Sequence, residues 1–187
     1  METIASFVFC TLLVLAGTVQ EPRTGVDFPD TLQLEKGTVS CTGVDVRTKL
    51  MVKVYAIAHY GDADAFSKSE APERRLQSWI DAQAQTAFIL KITYGIDAKK
   101  MREACDEGFD RVGYHGKARE AFLGAFKGEL KKGDELRMTA QSDGTLTMQQ
   151  NGATLGSWKE PELVKALWSI WMGEKSPLSD RTRLVAR

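Results

Sequence analysis

Hydrophobic and polar residues alternate along several short stretches of the chain, and this pattern predicts β-strands. Residues 38–46 and 51–60 are rich in β-branched and aromatic residues, and residues 86–93 form a short apolar run suited to a buried strand. Residues 135–140 and 145–150 both alternate, and the segment between them, Gln-Ser-Asp-Gly, is typical of a turn. We therefore expect these last two stretches to form a hairpin in the same antiparallel sheet.

Apolar residues recur at helical spacing in four other stretches, which predicts four helices. They lie at residues 76–84, 101–112, 118–126 and 163–171. Asp97 is placed to cap the second helix, and Pro161 fits the first turn of the fourth. We expect a polar break at residues 67–75 and a short basic helix near the C-terminus. Strands and helices are segregated rather than strictly alternating, so the expected fold class is α+β.

The N-terminus differs from the rest of the chain, because residues 4–16 carry no charge and are mostly apolar. This run is shorter than the roughly 20 residues of a membrane-spanning helix and has the length of the apolar region of a signal peptide. Small residues follow it, as at a cleavage site, whereas the missing Lys or Arg before it favours a buried strand or an uncleaved anchor. We expect a signal peptide over residues 1–20, a folded domain without a membrane span over residues 21–187, and a periplasmic or secreted protein.

Composition narrows the classes of function. The 187 residues include 25 basic and 25 acidic side chains, so no charge excess suggests a nucleic-acid partner. The chain has no phosphate-binding loop, no dinucleotide fingerprint and no nucleophile elbow. No cysteines and histidines have metal-ligand spacing, so we expect no metal and no cofactor. Cys41 and Cys105 could pair in an oxidising compartment, or they could be two small buried hydrophobic residues.

One predicted strand carries unusual polar residues. Lys53, Tyr55 and His59 lie on one face of it, and Arg47 stands just upstream. From the residues alone, such an arginine is most often solvated, and such a tyrosine most often packs with its hydroxyl at an edge. Burying an arginine without a partner would be costly, so Arg47 must either meet an anion or reach water.

Four segments follow one another in an informative order. They are GVDVRTK followed by VKVYAIAHY, then LKKGD, QQNG and SIWMG. In this order and spacing the chain resembles the chalcone isomerase-like family, in its bacterial exported branch, over residues 26–187. The resemblance implies an open-faced β-sandwich, in which a large antiparallel sheet is covered on one face by a layer of helices. This architecture agrees with the α+β pattern.

The resemblance also implies a cleft between the sheet and the helices. Some members of the family close a chalcone to a flavanone, and others are non-catalytic and bind fatty acids in the cleft. Arg47 matches the family's arginine that faces the anionic end of the ligand, and Tyr55 matches a strand position held by a hydroxyl side chain. A guanidinium and a phenol at one end of an apolar cleft would bind a carboxylate.

The residues that support turnover in the plant enzymes are not matched here. Asp97 and Ala98 occupy the place of a tyrosine that supports the developing enolate, and Ile170 falls near the place of a Ser or Thr. His59 and His115 have no evident partner in the sequence, so we assign no catalytic residue. Three functions stay open: a non-catalytic binder of a hydrophobic carboxylate such as a fatty acid, an isomerase or intramolecular lyase of the chalcone isomerase type, and a structural or partner-binding domain with a vestigial cleft.

Overall fold

A computed structural model describes residues 17–62, 64 and 70–187 of the chain. Its main feature is a seven-stranded antiparallel sheet whose strands neighbour one another in chain order, from β3 to β9. A separate two-stranded hairpin, β1–β2, precedes it. The strands are β1 (Thr18–Glu21), β2 (Val26–Pro29), β3 (Thr31–Leu34), β4 (Gly37–Lys49), β5 (Val52–Gly61), β6 (Thr86–Ile92), β7 (Glu135–Ala140), β8 (Thr145–Gln150) and β9 (Ala153–Lys159).

The helices described are α1 (Pro72–Asp81), α2 (Ala98–Val112), α3 (Arg119–Gly124) and α4 (Pro161–Met172), followed by a 3₁₀ helix (Arg181–Val185). Prolines stand at the first turn of α1 and α4, where the missing N–H costs no hydrogen bond. Asp97 caps α2 as expected, since its side chain accepts from the backbone N–H of Lys100 at 2.8 Å. The expected break at residues 67–75 was wrong over its second half, because Pro72 starts α1 there; residues 67–69 lie outside the described residues.

The helices cover one face of the seven-stranded sheet. Ile57 of β5, Phe88 of β6 and Leu136 of β7 are fully buried on this face, in the larger apolar core. The β1–β2 hairpin covers part of the other face, where Phe28 packs in a second core that includes Tyr60 of β5. The outward residues of β7 and β8 stay half-exposed. The predicted α+β class and open-faced antiparallel architecture are therefore confirmed.

Several strands were not predicted from the sequence. The strands β1, β2 and β3 have only four residues each, too few for a clear alternation. The last strand, β9, lies at the edge of the sheet, and Leu155 and Trp158 pack against the core only partly, so it shows no clear alternation. β1 also begins inside the segment expected to be a signal peptide, residues 1–20, of which residues 1–16 lie outside the described residues.

The two cysteines of the domain do not pair. Cys41 and Cys105 are both free and both buried. Cys41 belongs to the core under the β1–β2 hairpin, whereas Cys105 belongs to the core under the helices, so the sheet separates them. Of their two possible roles, the structure shows that of small buried hydrophobic residues. Among the described helices, none is long and apolar enough to cross a membrane.

Candidate functional site

Arg47 and Tyr55 lie directly opposite each other on neighbouring strands. They are paired residues of β4 and β5, next to a register shift between Arg47 and Thr48. Tyr55 is 8% exposed and belongs to the core between the sheet and the helices, while Arg47 is half-buried at its margin. The structure thus brings together the two side chains that the resemblance assigned to a carboxylate site.

Arg47 is held by backbone oxygens rather than by a carboxylate. Its Nη1 donates to the carbonyl of Thr48 at 2.7 Å and to that of Pro177 at 2.8 Å. Within residues 17–62, 64 and 70–187, no carboxylate forms an ion pair with Arg47, and its Nε and Nη2 donate no hydrogen bond. The guanidinium is therefore fixed in position and keeps an unused donor pair on its other side.

Tyr55 has an unused donor as well. Its hydroxyl oxygen accepts from Nε1 of Trp171 on α4 at 3.0 Å, and no described residue accepts the phenol proton. Burial raises the pKa of Tyr55 to about 12, although the Trp171 hydrogen bond and the nearby charge of Arg47 act in the opposite direction. The phenol is therefore neutral at physiological pH and has a proton to donate to an added acceptor.

Beyond Tyr55, aromatic rings from the sheet and from α4 meet directly. The ring of Phe88 lies 4.9 Å from that of Trp168 and 5.1 Å from that of Trp171, measured between centroids. Met101 and Cys105 of α2 belong to the same core. The surroundings of the Tyr55 hydroxyl are thus apolar, and they are closely packed at these rings.

His59 lies on the same face of β5 as Tyr55 and is completely buried. Its Nδ1 is 2.7 Å from the hydroxyl of Thr42, and its Nε2 accepts from Nε1 of Trp168 at 3.3 Å. The Thr42 hydroxyl donates to the carbonyl of Leu184 at 2.7 Å, so the proton of the ring must lie on Nδ1. Every polar atom of this group has a partner within the fold, which makes His59 a structural residue.

Among the described residues, none of the other candidate positions has a side-chain hydrogen bond to Tyr55 or Arg47. Tyr94 is 61% exposed, and Asp97 is engaged as the cap of α2. Ile170 is buried in the core under the helices. His115 is exposed, with its Nδ1 3.2 Å from a terminal nitrogen of Arg119. The described residues thus place no acid–base pair beside Arg47 and Tyr55.

A concave region lies on the helical layer, and neither Arg47 nor Tyr55 lines it. It is a groove of about 740 Å³ between the loop at residues 113–117 and the exposed side of α4. The loop is anchored, because the hydroxyl of Tyr114 donates to Glu160 at 2.6 Å and the same carboxylate accepts from the N–H of Ala118 at 2.9 Å. This loop connects α2 and α3, and these contacts hold it to the start of α4.

Comparison with known proteins decides the family. A sequence model described as chalcone isomerase-like matches residues 20–181, which is most of the chain. The chain belongs to the chalcone isomerase-like family. No protein with a curated function matches the sequence.

A solved structure similar to this member of the chalcone isomerase-like family is a fatty-acid binding protein of Arabidopsis thaliana. The two share 21% sequence identity and superpose with a TM-score of 0.75. The match covers 91% of this chain and 96% of the plant chain. At this identity the likeness establishes a common fold.

Two contacts of the site were not foreseen from the sequence. Trp171 ends the stretch predicted as the fourth helix, and it donates the only described hydrogen bond to the Tyr55 hydroxyl. The carbonyl of Pro177 orients Arg47 across 130 residues of sequence. Trp171 stands in the segment SIWMG, which helped to identify the chalcone isomerase-like family, so that motif offered the one available signal.

Proposed function

We propose that the protein is a non-catalytic binder of a hydrophobic carboxylate, with a fatty acid as the representative ligand. The observation that carries this proposal is the donor set at Arg47 and Tyr55. Within the described residues the half-buried guanidinium has no carboxylate partner, and the phenol at the paired position of β5 has no acceptor for its proton. Membership of a family with the fold of a fatty-acid binding protein supports the same choice of ligand.

The carboxylate would bind through three donors. Nε and Nη2 of Arg47 form a fork that matches two carboxylate oxygens, while the hydrogen bonds from Nη1 hold the fork in place. The phenol of Tyr55 adds a third, neutral donor from the opposite strand. Because the region is partly screened from water, these charge-assisted bonds are stronger than on an open surface.

The apolar part of the ligand would run from Tyr55 along the interface between the sheet and α2. Met101 and Cys105 lie there, and a methionine side chain adapts to a new neighbour at small cost. The rings of Phe88, Trp168 and Trp171 are in contact, so the chain would pass beside them rather than between them. Binding would therefore move α2 relative to the sheet.

Replacing the arginine tests the proposal. Arg47→Ala should weaken binding of a long-chain fatty acid by roughly tenfold to a hundredfold, because a charge-assisted hydrogen bond contributes about 1.5–3 kcal/mol. The methyl ester should bind wild type more weakly than the acid does, and should bind the Arg47→Ala variant about as well as the acid does. Titration calorimetry with both ligands and both proteins provides the measurement.

Arg137→Ala is a matched control, because Arg137 is half-exposed on the open face of the sheet and pairs with Glu135. It should leave both affinities unchanged. Equal losses for acid and ester in Arg47→Ala would contradict the proposal and assign the arginine to the fold.

A structural or partner-binding domain with a vestigial cleft is the second candidate. The direct contacts between Phe88, Trp168 and Trp171 favour it, because they occupy the space between sheet and helices in this region. It predicts that no fatty acid binds to the wild-type protein at any concentration below its solubility limit. The enzymatic alternative, an isomerase or intramolecular lyase, gains no support from Tyr94, which is exposed, or from Asp97, which caps α2.

We also propose that the protein is exported and that the signal is removed before β1. β1 pairs with β2 from Thr18 onward, and Glu21 at its end is fully buried against Arg23 and Thr24. A cut that removed Thr18 and its neighbours would delete this strand, so the mature chain should begin at Gly17 or Thr18. N-terminal sequencing of protein from the periplasm measures this. Recovery from the cytosol alone, with Met1 intact, would contradict export.

A further inference from the structure

The exposed apolar side chains of the domain are gathered at one end of the sheet. Among the described residues, the large hydrophobic side chains that stand exposed are Leu50 at 91%, Met51 at 95%, Val52 at 40% and Tyr94 at 61%. Tyr94 follows β6, and its N–H donates to the carbonyl of Val54 near the start of β5. Single exposed apolar residues are ordinary on protein surfaces, but a cluster usually marks an interaction site.

The turn between β4 and β5 is built from residues that do not favour it. Lys49 pairs with Val52, so Leu50 and Met51 form a two-residue turn, with φ angles of 48° and 67°. Positive φ at both positions favours Asn-Gly, because other side chains crowd the backbone there. The β8–β9 turn has the favoured pair, Asn151 and Gly152, with φ angles of 49° and 82°. The chain thus has the favoured pair at the β8–β9 turn, but two exposed apolar residues at the β4–β5 turn of the same kind.

Basic residues flank the apolar turn on both sides. Lys49 and Lys53 are exposed, and Lys53 bonds the carbonyl of Arg23 rather than a carboxylate. No acidic residue occurs between Arg47 and Lys53. Asp97, which follows Tyr94, is engaged with the backbone and side chain of Lys100. The end of the hairpin is therefore apolar at its tip and positively charged at its base.

We propose that residues 49–53, the hairpin tip, dock the protein onto a bilayer that contains anionic phospholipids. Leu50 and Met51 would insert among the acyl chains, while Lys49 and Lys53 would meet the phosphates of the headgroups. A protein partner fits less well, because a stable protein interface takes about 800 Å² from each side and a two-residue turn offers much less. Arg47 lies two residues from the tip on β4, so the proposed carboxylate site lies at the same end of the sheet.

The test replaces the tip by the turn that the chain uses elsewhere. The double variant Leu50→Asn, Met51→Gly copies the β8–β9 turn and should raise the thermal unfolding midpoint, because it relieves the positive φ angles. The partition coefficient onto vesicles of phosphatidylcholine with phosphatidylglycerol should fall by about tenfold or more, as expected when two apolar side chains no longer insert. Co-sedimentation with the vesicles measures it, and both proteins begin at Gly17, so that neither carries the N-terminal apolar run.

A second variant separates charge from insertion. Lys49→Gln with Lys53→Gln should lower partitioning onto the anionic vesicles by roughly fivefold for each lysine and should leave partitioning onto pure phosphatidylcholine unchanged. Lys117→Gln, an exposed lysine on the helical layer, is the matched control and should change neither. Equal partitioning of wild type and the Asn-Gly variant would overturn the proposal. Self-association that the Asn-Gly variant abolishes, without vesicle binding by wild type, would also overturn it in favour of a second copy of the chain.

None of these measurements uses a fatty acid, so docking can fail while the proposed binding function stands, and the reverse is equally possible.

Discussion

Two polar side chains on the helix-facing side of β5, His59 and Tyr55, differ in how completely they are hydrogen-bonded. At His59 both ring nitrogens are hydrogen-bonded, and the neighbouring Thr42 hydroxyl is bonded in turn to the backbone. At Tyr55, four residues earlier, the phenol proton has no described acceptor and the adjacent Arg47 has no described carboxylate partner. The two groups therefore differ in that Tyr55 and Arg47 keep unused donors, whereas the hydrogen bonds of His59 are complete.

The comparison separates a complete hydrogen-bond network from a set of unused donors on the same side of the sheet. A complete network such as that of His59 stabilises one packing arrangement, because each partner would lose its hydrogen bond if another moved. An incomplete one such as that of Arg47 and Tyr55 leaves donor capacity at the margin of the core, where a ligand can reach it. The two predictions below test each side of this contrast.

The largest expected effect is on acid stability through His59. Burial lowers the pKa of His59 from its usual 6.5 to about 3, because the charged ring would lose its hydration. Between these two values the unfolded chain binds a proton that the folded chain does not. The contribution to stability is therefore complete above about pH 6.5 and is lost on acidification towards pH 3, at up to about 1.4 kcal/mol per pH unit.

Urea unfolding at several pH values between about 4 and 7 measures this slope. His59→Gln removes the titrating ring, so the free energy of unfolding of this variant should depend less on pH than that of wild type. His115→Gln replaces the exposed histidine and should keep the wild-type slope. If His59→Gln and wild type lost stability equally with falling pH, the buried network would not hold a neutral histidine.

The sequence predicted more of the sheet than of the site. Strands such as β7 and β8 alternate cleanly because one face is buried and the other is half-exposed, and that contrast is visible in the residues themselves. β9 lacks this contrast at the edge of the sheet, and its pairing with β8 could be found only in three dimensions. Local pattern therefore predicts a strand where burial differs between its faces, as in β7 and β8, or where the run is apolar throughout, as in β6.

The candidate site depended on longer-range information. Arg47 and Tyr55 were found through resemblance to a family, since an arginine and a tyrosine in a strand are ordinary residues by themselves. The partners of His59 lie 17 residues away at Thr42 and 109 residues away at Trp168, so no local pattern linked them. Only the packed chain shows which buried polar groups have hydrogen-bond partners, and the number of partners distinguishes His59 from Tyr55.

The smaller expected effect concerns the phenol of Tyr55. Tyr55→Phe leaves the buried Nε1 of Trp171 without its acceptor, which should lower the free energy of unfolding by about 1–3 kcal/mol. It also removes one neutral donor to the ligand, so fatty-acid affinity should fall by only about 0.5–1.5 kcal/mol, roughly twofold to tenfold.

Tyr60→Phe is the matched control, because Tyr60 lies on the same strand but on the opposite face, where its hydroxyl donates to the carbonyl of Pro29 at 2.9 Å. Tyr60→Phe should also lower stability but should leave affinity unchanged. Urea unfolding measures the stability of both variants, and titration calorimetry measures their affinity. If both substitutions changed the affinity to the same extent, the phenol of Tyr55 would act through the stability of the sheet rather than by contact with the carboxylate.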